Sequence, residues 1–178
     1  MQAFLIRHPR PDVAPGVCYG ATDLELAQDA LDCVAHVRTR LPAQIRLFSS
    51  PMRRCRRLAE MLDPAVCYDS RLSEMDFGAW EMHAWSRIPR AELDAWAAAP
   101  MTFVPPGGES VATVRARVIA FLDERCRPGG EDIAVVTHAG VLRIIAGHLQ
   151  ELDQATWFNL QFGHGQLTVL QVPAPPGG

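Results

Sequence analysis

Two histidines stand where short apolar runs end, and their positions suggest one shared site. His8 ends the run at residues 3–7, and His138 ends the run at residues 133–137. Runs of this kind predict buried strands, and the carboxyl ends of parallel strands meet at the edge where open α/β sheets bind ligands. An imidazole at that edge can attack an electrophile or move a proton. We therefore expect the two histidines to lie close together.

Arginines occur at the same strand ends and point to an anionic ligand. Arg7 precedes the first histidine, and Arg53 and Arg54 open the helix predicted after the strand at residues 45–48. Helix N-termini add unpaired N–H groups and a partial positive charge, so this edge would attract an anion such as a phosphate monoester. Arg54 lies four residues before Leu58, on the buried side of the helix, so we prefer it to Arg53 as a phosphate ligand.

Strand and helix patterns alternate along the chain, which is typical of a parallel sheet with helical crossovers. Apolar runs predict strands at residues 3–7, 45–48, 66–68, 133–137 and 166–172. Apolar residues at helical spacing predict helices at residues 25–41, from Pro51 with Ser50 as N-cap, from 111 to 122, and from 139 through 145. The predicted fold class is therefore α/β, a three-layer α/β/α sandwich with a mostly parallel central sheet.

Length and composition favour one domain. The chain has 178 residues, 48% of them hydrophobic and 21% charged, which is enough for one well-buried core. We expect a single domain over residues 1–172. Residues 70–108 contain three of the four tryptophans, and we expect them to form a variable excursion along one wall of the site. Residues 173–178 form a tail rich in proline and glycine that we expect to be frayed.

Composition argues against several other functions. The formal net charge is −3, which disfavours a nucleic-acid partner. The basic residues are all arginine, so the lysine of a P-loop is absent. No cysteine is followed six residues later by the arginine that a cysteine phosphatase needs, and no Asp-x-Asp pair occurs to form an aspartyl phosphate.

Cysteine usage and hydropathy indicate the compartment. The five cysteines are odd in number and lack C-x-x-C spacing, which predicts a reducing compartment without a disulfide framework. No leader pattern opens the chain, and no apolar stretch approaches the roughly 20 residues of a membrane span. Neither His-x-His nor H-E-x-x-H occurs to hold a metal ion. We expect a cytoplasmic protein with no membrane partner and no cofactor, and the sequence leaves the oligomeric state open.

Five short motifs in order resemble the histidine phosphatase (phosphoglycerate mutase-like) superfamily. The match runs from residue 4 to about 146, through Arg7-His8, residues 49–55, 74–78 and 108–110, and Thr137-His138-Ala139-Gly140. The run at residues 16–24, Gly-Val-Cys-Tyr-Gly-Ala-Thr-Asp-Leu, is most similar to small bacterial phosphatases of the alpha-ribazole phosphatase type. The resemblance implies a phosphoglycerate mutase-like fold and a phosphatase.

The resemblance also implies a role for each site residue. His8 matches the nucleophile that becomes a phosphohistidine, and Glu74 matches the proton donor. The implied catalytic residues are His8, Glu74 and His138, and the implied substrate-binding residues are Arg7, Arg54, Tyr19 and Ala139. The expected function is metal-independent hydrolysis of a small phosphorylated metabolite, with alpha-ribazole 5′-phosphate as one candidate. Flanking arginines should lower the pKa of the His8 imidazole and keep its attacking nitrogen unprotonated.

Alternatives and departures from the family pattern stay open in the sequence. Glu81 is a nearby alternative to Glu74 as proton donor. Pro9 replaces the glycine that often follows the nucleophile, residues 9–17 lack the asparagine common in this loop, and Met82 stands where the Trp-Glu-Gly block usually has glycine. Arg10 or the loop backbone could compensate for the asparagine. His83 could touch the substrate, and His164 could line the rim of the site.

The sequence also leaves other functions open. A phosphoglycerate mutase-type phosphotransferase is disfavoured because the compact chain leaves little extra segment to shield a phosphoenzyme from water. A non-catalytic phosphate-binding or regulatory module is disfavoured because a binder needs no nucleophile and proton donor. A protein phosphohistidine stays an alternative to a small-molecule substrate.

Overall fold

A five-stranded sheet forms the centre of the fold. The structure is a computed structural model that describes residues 1–126 and 130–172. The strands are β1 (Gln2–Arg7), β2 (Arg46–Ser49), β3 (Cys67–Tyr68), β4 (Ile133–Thr137) and β5 (Leu167–Gln171). Their order across the sheet is β3-β2-β4-β1-β5. The first four are parallel to their neighbours, and β5 runs antiparallel to β1.

Helices cover both faces of this sheet. They are α1 (Val34–Arg40), α2 (Arg53–Leu62), α3 (Arg90–Ala98), α4 (Val111–Arg125), α5 (Ala139–Leu149) and α6 (Gln154–Phe158). Leu5 and Val135 pack with α4 and α5 in one cluster, whereas Ile6 and Val136 pack with α1 and α2 in another. Successive residues of a strand point to opposite faces, so β1 and β4 each supply both apolar layers. The predicted three-layer α/β/α sandwich with a mostly parallel sheet is confirmed.

Two predicted helix starts are wrong. The single helix predicted at residues 25–41 is α-helical only over Val34–Arg40, after a 3-10 turn at Ala30–Cys33. Residues before it form a loop in which Glu25 accepts a hydrogen bond from Arg53, so tertiary contacts override the helical spacing there. Ser50 is not an N-cap, because α2 begins at Arg53 with Met52 before it. The Ser50 hydroxyl instead faces a histidine described below.

The chain leaves three neighbouring strands at the same edge. Arg7 of β1 pairs with Thr137 of β4, and Ser49 of β2 pairs with Val136. One residue further on, the His8 amide donates to the Thr137 carbonyl at 2.9 Å. This register brings the first residues after β1, β2 and β4 together, as expected from the strand ends in the sequence.

Residues 70–108 run outside the sheet in short turns and α3. Two glycines allow the segment to fold back on itself at residues 76–78 and 106–108. Gly78 has a φ of +54°, and a Cβ there would lie 2.2 Å from the Pro106 carbonyl oxygen. A Cβ on Gly108 would lie 2.4 Å from the Asp76 carbonyl oxygen. The motif glycines at 78 and 108 are therefore needed for one close backbone contact.

The cysteines, the lengths of the helices and the C-terminal tail complete the description of the fold. All five cysteines are free thiols. None of the helices in residues 1–126 and 130–172 combines the length and the apolar character needed to cross a membrane. The tail at residues 173–178 lies outside the described residues.

Candidate active site

His8 lies at the end of β1 with its ring oriented by the backbone. Its Nδ1 is 2.6 Å from the Pro9 carbonyl oxygen. A carbonyl oxygen can only accept, so Nδ1 carries the proton and Nε2 keeps a free lone pair. Burial holds the pKa of His8 well below its ordinary value, and the positive charge of Arg54 lowers it further. The direction agrees with the expectation from the flanking arginines, but burial is the larger cause.

His138 lies beside His8, with the two ring centroids 5.1 Å apart. Arg54 Nε donates to His138 Nδ1 at 3.2 Å, so the ring proton is on Nε2, which lies 2.9 Å from the Ser50 hydroxyl. The side chain is completely buried, and this burial together with the Arg54 charge holds the pKa of His138 well below its ordinary value. Both histidines are therefore neutral near pH 7.

Arg54 is completely buried beneath the loop at residues 20–22. Its terminal nitrogens donate to the Gly20 carbonyl at 2.6 Å and the Thr22 carbonyl at 2.7 Å. The guanidinium carbon also lies 5.5 Å from the centre of the Tyr19 ring. Arg53 points away from the site, as predicted, and pairs with Asp23 and Glu25 at the surface.

Arg7 brings a second positive charge to His8. One terminal nitrogen donates to the Phe162 carbonyl at 2.7 Å, which fixes the side chain against the segment before β5. Its Nε is buried and has no acceptor among the described residues. An unpaired buried donor is costly unless a ligand accepts from it, and an anion would do so.

Glu74 reaches the same site from the 70–108 segment. Its Oε2 accepts a hydrogen bond from the Gly140 amide at 3.1 Å, at the N-terminus of α5. Its Oε1 accepts from the Met75 amide at 3.1 Å. The approach to α5 is so close that a Cβ on Gly140 would lie 2.5 Å from Oε1. Glycine at position 140 therefore makes room for the Glu74 carboxylate.

Arg117 of α4 clamps the backbone that carries Glu74. It donates to the carbonyls of Arg71 and Ser73, both at 2.7 Å, and to the Glu74 carbonyl at 3.1 Å. Glu109 pairs with Arg117 at 3.1 Å and also accepts from the Asp76 amide at 3.0 Å. Arg117 was missed in the sequence, because its partners are main-chain groups more than forty residues away that leave no sequence signal.

Glu81 is placed differently from Glu74. Its carboxylate accepts hydrogen bonds from the amides of Ala21 at 2.6 Å, Thr22 at 2.7 Å and Phe77 at 3.1 Å, and from the Thr22 hydroxyl. Burial alone would raise the pKa of Glu81, but these hydrogen bonds outweigh it and lower the pKa. Glu81 thus holds the 20–22 loop against the 70–108 segment, and Glu74 is the carboxylate that lines the cavity.

A cavity of about 330 Å³ opens beside His8, Arg7 and Glu74. Its walls are largely aromatic: Phe77, Trp85 and Trp96 come from the 70–108 segment, and Trp157 and Phe158 come from α6. The Trp85 and Trp96 rings are stacked 5.8 Å apart with only 8° between their planes. Of the four expected substrate-binding residues, Arg7, Tyr19 and Ala139 line this cavity and Arg54 does not. The cavity therefore joins a positively charged end at Arg7 to an apolar chamber.

Other residues raised by the sequence lie at or beyond the rim. His164 Nδ1 is 3.3 Å from the His8 carbonyl oxygen, and the two rings are 5.2 Å apart. His83 is exposed and does not line the cavity. Arg10 pairs with Asp29 at the surface at 2.5 Å. Met82 has a φ of +62°, a left-handed conformation that suits the glycine usual at this position.

The arrangement has the parts for phosphoryl transfer. The neutral His8 imidazole lines the cavity together with Arg7 and the Glu74 carboxylate, and Arg54 and His138 lie completely buried beside it, outside the cavity lining. Preorganised donors of this kind stabilise the charge that spreads over the equatorial oxygens of a transferring phosphoryl group.

Comparison with known proteins supports this chemistry. The model of the histidine phosphatase superfamily (branch 1) matches residues 3–174. A curated relative, "Putative phosphoserine phosphatase 2" of Hydrogenobacter thermophilus, is 27% identical over 185 residues, covering 95% of this chain and 88% of the relative.

Solved structures of similar fold match nearly the whole chain. The crystal structure of TTHB049 from Thermus thermophilus has a TM-score of 0.76 and 28% identity, covering 98% of this chain and 95% of that one. The alpha-ribazole phosphatase from Shigella flexneri has a TM-score of 0.83 and 23% identity, covering 96% of this chain and 90% of that one, which shows the fold. Since the family model covers nearly the whole chain, this protein belongs to the histidine phosphatase superfamily, branch 1, and is a phosphatase.

Proposed function

We propose that this protein is a metal-independent phosphomonoesterase that acts through a phosphohistidine at His8. One observation supports this most strongly: the neutral His8 ring has its Nδ1 proton bound by the Pro9 carbonyl, which leaves Nε2 free beside Arg7 and Arg54. A free lone pair beside fixed positive charges is what attack on a phosphate ester needs.

The first half-reaction transfers the phosphoryl group to the enzyme. The phosphate oxygens bind Arg7, whose buried Nε lacks an acceptor among the described residues, and the buried Arg54 adds a fixed positive charge beside His8. His8 Nε2 attacks phosphorus and the phosphorus–oxygen ester bond breaks. Glu74, entering this step as a carboxylic acid, gives its proton to the leaving oxygen, so the product departs as a neutral alcohol.

The second half-reaction restores the enzyme. The Glu74 carboxylate takes a proton from water, the oxygen of that water attacks phosphorus, and the bond from phosphorus to His8 Nε2 breaks. Inorganic phosphate leaves, His8 regains its lone pair, and Glu74 is again protonated. The Gly140 amide, which donates to Glu74, keeps the carboxylate in place for both steps.

The cavity favours a leaving group with a flat apolar part. Its volume of about 330 Å³ suits a small metabolite, and stacked Trp85 and Trp96 form a flat wall. Alpha-ribazole 5′-phosphate, which carries a fused aromatic base on a ribose, matches this shape. Phosphoserine would fill little of the chamber, and its ammonium group would find only Glu74 as a carboxylate partner among the lining residues.

Hydrolysis of para-nitrophenyl phosphate in EDTA tests the proposed reaction. The wild type should turn over, His8→Ala should lose activity, and His36→Ala, which removes an exposed histidine of α1, should behave as the wild type. A folded but inactive wild type, or activity that survives His8→Ala, would contradict the proposal. Comparing kcat/KM for alpha-ribazole 5′-phosphate and phosphoserine then tests the substrate.

A further inference from the structure

Arg143 is a second arginine of the cavity that the proposed reaction does not use. It lies on α5 four residues after Ala139, so the two side chains share one face of the helix, about 6 Å apart along its axis. Both residues line the cavity. Gly140, which holds Glu74 at the start of α5, precedes Arg143 by three residues on the same helix.

The Arg143 side chain is held in place by one hydrogen bond, and its other N–H donors have no partner among the described residues. Its Nε donates to the Leu160 carbonyl at 2.8 Å, which orients the guanidinium. A guanidinium has five N–H donors, and the other four have no acceptor among the described residues. No carboxylate in residues 1–126 or 130–172 forms an ion pair with Arg143 either.

The surroundings make these unused donors unusual. The neighbouring cavity walls are Ile144, Trp157 and Phe158, which are apolar. Arg143 itself is only partly exposed. A cation beside apolar walls loses part of its hydration, so an acceptor that enters the cavity with the substrate would bind strongly to it.

We propose that Arg143 binds an oxygen of the leaving group and thereby selects the substrate. This proposal rests on the proposed phosphomonoesterase function. The acceptor is an oxygen of the leaving group other than the ester oxygen, which leaves two sources: a sugar hydroxyl, as in a nucleoside-like 5′-phosphate, or a carboxylate, as in phosphoserine. The aromatic walls favour the sugar hydroxyl, because the same leaving group then fills the rest of the chamber.

The test compares Arg143→Met with the wild type on three substrates. Phenyl phosphate has no oxygen beyond its phosphate, alpha-ribazole 5′-phosphate adds sugar hydroxyls, and phosphoserine adds a carboxylate. The readout is the ratio of kcat/KM for each oxygen-bearing substrate to that for phenyl phosphate. For the sugar hydroxyl we expect Arg143→Met to lower the ratio about tenfold to a hundredfold, as for other hydrogen bonds to charged groups. A fall in the phosphoserine ratio alone would assign a carboxylate instead.

Matched controls separate the possible failures. Arg57→Met removes an exposed arginine of α2 and should leave both ratios unchanged. If Arg143→Met does not fold by circular dichroism, Arg143→Gln, which keeps a shorter donor, takes its place. Unchanged ratios in a folded variant, with a wild type active on phenyl phosphate, would overturn the role of Arg143 alone. A wild type inactive on all three substrates would contradict the proposed function itself.

Discussion

Replacing Gly140 with alanine should displace the proposed proton donor without harming the fold. A Cβ at this position would lie 2.5 Å from Glu74 Oε1 and 3.3 Å from Glu74 Cδ. Ordinary contact begins at 3.4 Å, so the carboxylate must retreat by about 0.9 Å. Helix α5 itself should tolerate the change, since alanine is a better helix residue than glycine by about 1 kcal/mol.

The expected loss of kcat/KM in Gly140→Ala depends on how much the leaving group of the substrate needs a proton. A misplacement of about 1 Å costs roughly 10²-fold in rate, or about 2.7 kcal/mol of transition-state stabilisation. For glycerol 2-phosphate, whose alkoxide leaves poorly, we expect kcat/KM to fall by about this factor. For para-nitrophenyl phosphate, whose phenolate leaves readily, the fall should be less than about tenfold.

Steady-state kinetics of both substrates, together with thermal unfolding, measures this effect. A double-mutant cycle shows whether the change acts through Glu74. In a Glu74→Ala background, Gly140→Ala should have almost no further effect, because the displaced carboxylate is already absent. Equal losses on both substrates, or an undiminished loss in the Glu74→Ala background, would refute the proposed role of the Glu74 contact.

Three further predictions concern Arg54, Arg117 and the two histidines. Arg54→Lys should lower kcat/KM at least about 10²-fold, because lysine cannot serve Gly20, Thr22 and His138 together, whereas Arg53→Lys at the surface should change it less than about twofold. Arg117→Met should lower kcat by about tenfold with little change in KM, since it frees the backbone that carries Glu74 but leaves the phosphate donors in place; a rise in KM alone would contradict this. Stability should depend on His8 and His138, whose pKa values are lowered in the folded protein. As pH drops below about 6.5, the unfolded chain binds protons before the folded protein does. The free energy of unfolding should therefore fall by up to about 2.7 kcal/mol per pH unit for the two groups together. Urea titrations at a series of pH values measure this fall, which should be smaller per pH unit in His8→Gln than in the wild type.

Strand ends were the most predictable part of the fold. The β4 prediction matches Ile133–Thr137 residue for residue, because a fully apolar run between polar segments leaves little choice. The start of the helix predicted at residues 25–41 was wrong, since residues 25–29 contact the 10–12 loop and Arg53 instead of forming helix, whereas Val34–Arg40 is helical. Local spacing could not reveal those contacts.

In the candidate site, too, local sequence patterns identify some residues, whereas tertiary contacts determine the roles of others. The sequence could nominate His8, His138, Arg54 and Glu74 as candidates because each stands at a strand end or in a family motif. Arg143 could not be singled out, because a charged residue within an apolar helix looks like any solvent-facing position until the cavity is seen. The Ser50 hydroxyl faces His138, although the sequence predicts a helix cap there. Roles that depend on main-chain partners or on cavity shape need the folded chain.

Trapping the phosphoenzyme tests the central claim most directly. The wild type is mixed with ³²P-labelled substrate, quenched in alkali within milliseconds, and mapped by mass spectrometry of its peptides. We predict an acid-labile, alkali-stable label on His8 that forms before steady state and is absent from His8→Ala. A label on His138 or His164, or product formation with no labelled enzyme at any time, would contradict a mechanism in which His8 is the nucleophile.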